Sequence, residues 1–87
     1  MHITVIGTGF VGVVSSAVFA SFGNEVFGLD ILPEKVASLT RGEIPFYEPG
    51  LEELVKEGIQ KGTLTFTTSY QEAISRADVV ILAVGTP

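Results

Sequence analysis

Cysteine is absent from all 87 residues, which excludes a disulfide framework, a thiolate metal site and a thiol nucleophile within them. Basic residues are few. Five Lys and Arg stand against ten Asp and Glu, a net charge of −5, and nowhere do they form the stripe that a phosphate backbone requires. Nucleic acid is therefore not an expected partner. No group of His, Asp and Glu has metal-ligand spacing, and the lone His2 reads as a structural or exposed histidine. Internal repeats, low-complexity tracts and linkers are missing too, so residues 1–87 are expected to form one unit, a small domain or a piece of a larger one. The lack of cysteine is compatible with the cytoplasm.

The most apolar stretch, residues 3–22, carries neither signal-peptide nor membrane-span features. No Lys or Arg precedes it, and Gly7, Gly9, Gly12, Thr8, Ser15 and Ser16 interrupt it. No membrane partner is expected. What the chain does have is a globular balance, 46% hydrophobic against 17% charged residues.

Read along the chain, apolar periodicity alternates between strand and helix. His2 to Ile6 is a β-branched run with the character of a buried strand. Phe10 to Phe22 mixes small with large apolar residues, and Gly23-Asn24 stops it as a helix. Glu25 to Leu29 is a second strand, ending in Asp30, and Pro33 opens a helix to Leu39 because its missing N–H is not needed in a first turn. After the two-proline loop EIPFYEPG (43–50), Leu51, Leu54, Val55 and Ile59 recur at helical spacing, with Gly58 a weak point and Gly62 the end. Thr63 to Thr67 is a third strand. Ser69 with Glu72 predicts a capping box for a short helix through Arg76. The run VVILAV (79–84), between Asp78 and Gly85, predicts a fully buried fourth strand. This alternation implies a parallel sheet with right-handed crossovers, the first part of a doubly wound α/β fold; if its strand order is 3-2-1-4, the end of the fourth strand falls beside the turn that follows the first.

The densest signal is Gly7-Thr8-Gly9-Phe10-Val11-Gly12, three glycines in six positions between the first strand and the first helix. A dinucleotide pyrophosphate needs preorganised donors, and a helix N-terminus supplies unpaired N–H groups and a positive dipole end. Gly7 permits the tight turn, Gly9 keeps a side chain out of the way of the phosphates, and Gly12 allows close helix–strand packing. Phe10 and Val11 would offer backbone N–H groups. Asp30, 18 residues beyond Gly12, stands where a carboxylate accepts hydrogen bonds from the adenosine ribose. It would repel the 2′-phosphate of NADP, so NAD is the expected cofactor. Lys35 has two readings, a reach to the same ribose or a solvated pair with Glu34 or Glu25. Thr86, just past the fourth strand, either bonds the middle or nicotinamide half of the cofactor or ends the strand as a turn residue.

On these residues the chain resembles the amino-terminal NAD-binding domain of the UDP-glucose/GDP-mannose 6-dehydrogenase family. Four markers over the whole chain carry the resemblance: GTGFVG at 7–12, Asp30 with Lys35, IPFYEPGL at 44–51, and AD-VVILAV-GTP at 77–87. It implies a Rossmann-type domain and a parent enzyme that oxidises the C6 alcohol of a nucleotide sugar, UDP-glucose in first place, to a carboxylate. That oxidation takes two NAD-dependent steps through a thiohemiacetal on a cysteine, and supplies polysaccharide biosynthesis. The resemblance places cofactor contacts at Gly7 to Gly12, Asp30, Lys35 and Thr86, and departs from the family at Phe10, where Tyr is common. It puts the catalytic groups beyond Pro87, so the 87 residues are expected to hold NAD without turnover, within a homo-oligomeric parent. Two other readings stay open: a free-standing nucleotide-binding or regulatory module, and the cofactor domain of a hydroxyacid or hydroxyacyl dehydrogenase. The loop at 44–51 is either a shape-setting connection or a cover over cofactor or substrate.

Overall fold

The computed structural model describes residues 1–84, so Gly85, Thr86 and Pro87 lie outside the described residues. Four strands, β1 (His2–Ile6), β2 (Glu25–Leu29), β3 (Leu64–Thr67) and β4 (Val79–Leu82), alternate with α1 (Phe10–Ser21), α2 (Pro33–Thr40), α3 (Leu51–Lys61) and α4 (Tyr70–Ile74). The sheet is parallel throughout, in the order β3-β2-β1-β4. Ile6 lies opposite Leu29 on one side and Leu82 on the other, while Leu29 lies opposite Thr67. The carboxyl ends of all four strands are thus level, the expected ligand edge of such a sheet.

Pleat alternation decides what each face carries. Ile3, Val5 and Val26 are buried toward α1, which presents Gly12, Val13, Ser16, Ala17 and Ala20 at helical spacing. Small residues on that stripe let the helix axis come close to the sheet. Each buried Val or Leu contributes roughly 1.5–3 kcal/mol, and Val5, Val13, Val55 and Leu39 are fully buried. Gly58, a weak point by helix propensity, proves to be a contact. A Cβ there would sit 2.9 Å from the Cβ of Leu64 and 3.7 Å from that of Ala20, so the glycine brings α3 against β3 and α1. On the exposed side of α3, Lys56 pairs with Glu52 (3.0 Å) and Lys61 with Glu57 (3.4 Å), each one turn apart. The other face of β1 shows Thr4, fully buried, whose hydroxyl donates to the carbonyl of Ala73 and ties α4 to the sheet.

Two expectations need correction. The fourth strand is not fully buried: Val79, Val80, Leu82 and Val84 are 39%, 44%, 71% and 62% exposed. Among the described residues β1 is the one strand beside β4, and the five-residue α4 packs on β2 and β3, too short to cover Val80 and Leu82. The capping box is half made. Ser69 Oγ accepts from the Glu72 N–H (3.1 Å), but the Ser69 N–H already donates to Thr67 Oγ1 (3.0 Å), so Glu72 has no donor to reach back to. The helix closes at Ile74 rather than Arg76.

Edge exposure has a measurable consequence, because an uncovered apolar strand edge templates pairing between chains. In the 87-residue chain, Leu82→Lys is expected to shift stability by no more than about 0.5 kcal/mol, as surface changes do. It should also lower concentration-dependent association. Sedimentation of both forms over a range of concentrations checks this; equal association would mean β4 is not the sticky edge.

Candidate functional site

At the carboxyl end of β1 the chain turns sharply, and the turn is stitched to its neighbours. The Gly7 N–H donates to the Leu29 carbonyl (2.8 Å), and the Ile6 carbonyl accepts from the Ala83 N–H (2.8 Å). Gly7 has φ +105°, which side-chain-bearing residues rarely adopt. A Cβ on Gly12 would lie 1.9 Å from the Gly7 carbonyl oxygen, so helix and turn meet at a distance that excludes any side chain there. Gly9 is the N-cap of α1 and, among the described residues, nothing lies within 4 Å of where its Cβ would be. That open space stands directly over the helix start.

The start itself is set up for an anion. Among the described residues no side chain caps α1 and no acidic residue occupies its first turn. The Val13 N–H is bonded to the Gly9 carbonyl (3.0 Å), which leaves the donors of Phe10, Val11 and Gly12 without an intrahelical carbonyl. Phe10 and Val11 are exposed at the rim. The residues present therefore fit a dinucleotide pyrophosphate: an uncapped helix N-terminus, positive by its dipole, beneath a position kept clear by Gly9.

Asp30 is tied to the same turn. Its own N–H donates to the Thr67 carbonyl (3.1 Å), which holds it at the end of β2. Oδ2 accepts from the Thr8 hydroxyl (2.5 Å) and, more weakly, the Thr8 N–H (3.3 Å). Oδ1 accepts from the Leu32 N–H (3.0 Å). Lys35 Nζ lies 3.6 Å from Oδ2, so its partner is Asp30 and neither Glu34 nor Glu25. Burial pushes the Asp30 carboxyl up, but the Thr8 hydroxyl, the Leu32 N–H, the Lys35 ammonium and the Thr8 N–H outweigh it and hold the group below its ordinary value. Beside it opens an apolar cavity of about 270 Å³, lined by Ile6, Leu29, Ile31, Tyr70 and Val84 with Asp30 at its edge.

The structure thus brings together Gly7, Gly9, Phe10, Val11, Gly12, Asp30 and Lys35; Thr86 lies outside the described residues. Three neighbours were missed. Thr8 enters the sequence reading as a polar interruption and as a member of the glycine motif, with no role for its hydroxyl, although a hydroxyl between the first two glycines, facing a strand-ending Asp, is a usable signal. Tyr70 lies on a distant helix and shows no local pattern. Phe46, in the two-proline loop, sets its ring edge-on to Phe10 (centroids 5.6 Å apart, planes at 89°), so the loop rests against the first residue of α1. Its neighbour Tyr47 points away, 93% exposed. His2 is at the opposite end of β1, paired with Glu25 (2.9 Å) and remote from the turn.

A parallel sheet in this order with a glycine turn, an uncapped helix start and a strand-ending carboxylate defines a Rossmann-type dinucleotide-binding domain. All 87 residues match the family described as the UDP-glucose/GDP-mannose dehydrogenase family, NAD binding domain, and the chain belongs to that family as its NAD-binding domain. It is 48% identical to UDP-glucose 6-dehydrogenase of Pseudomonas aeruginosa over all 87 residues, which are 19% of that protein. It is 42% identical to GDP-mannose 6-dehydrogenase of Pseudomonas syringae pv. syringae, again over the whole chain and 20% of the relative. Among solved structures, a ternary complex of GDP-mannose dehydrogenase from Pseudomonas aeruginosa superposes with a TM-score of 0.95 at 39% identity, covering all of this chain and 20% of that one. The chain spans about a fifth of the length of these relatives.

Proposed function

We propose that this domain carries NAD for a nucleotide-sugar 6-dehydrogenase, with the pyrophosphate on the N–H groups of Phe10 and Val11 at the start of α1. Gly7, Gly9 and Gly12 deliver that helix end, Asp30 accepts from the adenosine ribose, and Lys35 reaches the same sugar. The observation that carries the reading is the turn itself: an uncapped helix N-terminus under an open Gly9, with the Asp30 carboxylate bonded to the intervening Thr8. Thr86 is assigned to the middle or nicotinamide half of the cofactor on the family resemblance.

Bound NAD would supply the hydride acceptor, and the C6 alcohol of the sugar would pass through two oxidations to a carboxylate. UDP-glucose is the preferred substrate, because the UDP-glucose 6-dehydrogenase above is more similar than the GDP-mannose enzyme. Residues 1–87 form the first portion of the dinucleotide-binding domain. They contain no cysteine and no base placed against a substrate, so alone they bind NAD without turnover. The sugar is read by other parts of a homo-oligomeric cytoplasmic protein.

Calorimetric titration with NAD and NADP tests this. NAD is expected to bind at least about tenfold tighter than NADP, and Asp30→Ala to weaken NAD by about tenfold or more, the scale of a lost hydrogen bond to a charged group. A folded chain that binds neither nucleotide, or an Asp30→Ala variant that binds NAD unchanged, would sink the assignment.

A further inference from the structure

We propose that Thr8 is the positioning residue of the ribose site: its buried hydroxyl, donated to Asp30 Oδ2, turns that oxygen into the glycine turn and leaves Oδ1 as the acceptor for a ribose hydroxyl. The inference deepens the reading of Asp30 as the ribose acceptor and rests on it.

A carboxylate offers about four lone-pair sites, two on each oxygen. Oδ2 has the Thr8 hydroxyl at 2.5 Å, the Thr8 N–H at 3.3 Å and the Lys35 ammonium at 3.6 Å, so it is filled from within the protein. Oδ1 has the Leu32 N–H at 3.0 Å and one site left. A ribose diol is then read by two groups: one hydroxyl donates to Oδ1, and the other is met by Lys35, whose ammonium carries three donors. Thr8 is 1% exposed, so its hydroxyl has no water to turn to, and the bond to Asp30 is its one partner among the described residues. The register holds both ends in place, since Gly7 N–H to Leu29 carbonyl fixes the turn against the end of β2.

The same bond bears on ionisation. Among the described residues the charged group beside the Asp30 carboxylate is Lys35 on α2; Tyr70 on α4 lines the same cavity, and the glycine turn contributes no charge. Without the Thr8 hydroxyl, burial is opposed only by the two N–H groups and Lys35, and the carboxyl moves up. A carboxyl held low gives NAD binding that is complete above the ordinary carboxyl range, about pH 4, and is lost as pH falls through the lowered value. Raising the carboxyl moves that loss to higher pH. A protonated Asp30 also no longer repels a 2′-phosphate.

The test titrates NAD and NADP into the full-length protein that carries this domain, from about pH 8 down to about pH 3, so that the range runs below the ordinary carboxyl value. Wild type is compared with Thr8→Val, which keeps the shape and removes the hydroxyl, with Thr8→Ser, which restores it, and with Asp30→Ala. Thr8→Val is expected to weaken NAD about tenfold, to lose binding at higher pH than wild type and to narrow the NAD-to-NADP ratio, and Thr8→Ser to recover all three. A purely structural Thr8 would lower the melting temperature and leave the acid limb and the ratio alone, and that result overturns the proposal while Asp30→Ala still loses NAD. If Asp30→Ala binds NAD as wild type does, the ribose reading falls and this inference with it. Should Thr8→Val fail to fold, Thr8→Ala takes its place, and an acid limb equal to wild type overturns the proposal equally.

Discussion

Gly12→Ala is expected to unfold this domain at markedly lower temperature, although alanine is the better helix former by roughly 0.5–1 kcal/mol. The added Cβ would stand 1.9 Å from the Gly7 carbonyl oxygen and 2.8 Å from its carbon. Both are backbone atoms, and the turn cannot yield easily: Gly7 is anchored by its N–H to Leu29, and Ile6 by its carbonyl to Ala83. Relief therefore requires α1 to lift from the sheet, and Val13, Ser16 and Ala17, all fully buried, lose their contacts together. Overpacking in a well-filled core costs about 1–3 kcal/mol or more. For a domain of this size each kcal/mol lowers Tm by roughly 4–8 °C. Thermal melts followed by circular dichroism measure it, with Val11→Ala as the control. Val11 is 63% exposed on the same turn of helix and its change should stay within about 0.5 kcal/mol. Equal melts for Gly12→Ala and wild type would show that α1 does not approach β1 this closely.

That collision was legible in the sequence because its causes are local. The spacing of Gly7, Gly9 and Gly12 between a β-branched strand and a helix dictates a turn, and the alternation of elements dictates a parallel sheet with right-handed crossovers, while the order β3-β2-β1-β4 is the structure's own finding. Pro33 at the start of α2 and Gly62, with φ +80° at the end of α3, were equally local signals. What escaped was set by distant neighbours. A run such as VVILAV is apolar enough for burial on both faces, but its real exposure depends on what stands beyond β4 and above it, and neither is written in those residues. The Thr8–Asp30 bond needs β1 and β2 to end level, which is a property of register and not of spacing along the chain. The contact of Phe46 on Phe10 is of the same kind: two prolines announce a stiff loop, but its landing on a residue 36 positions earlier in the chain is a matter of tertiary packing.

Gly9→Asp should separate stability from function at this turn, and in opposite directions. Gly9 has φ −72° and ψ −167°, an extended conformation open to any residue, and its Cβ would point into space clear of described atoms. Position and conformation are those of a helix N-cap, where Asp is among the preferred residues because its carboxylate accepts from the N–H groups of the first turn. A capping Asp in place of Gly gains a few tenths of a kcal/mol, with a favourable charge on the helix dipole besides. The melting temperature is therefore expected to hold or rise. The same carboxylate would occupy the donors assigned to the pyrophosphate and place a negative charge against it, so NAD affinity should fall by about a hundredfold or more, given that each lost hydrogen bond to a charged group is worth roughly 1.5–3 kcal/mol. The two measurements discriminate sharply. A stable Gly9→Asp domain that still binds NAD as wild type does would move the pyrophosphate away from α1, whereas a stable domain that has lost NAD places the phosphates where Gly9 leaves room for them.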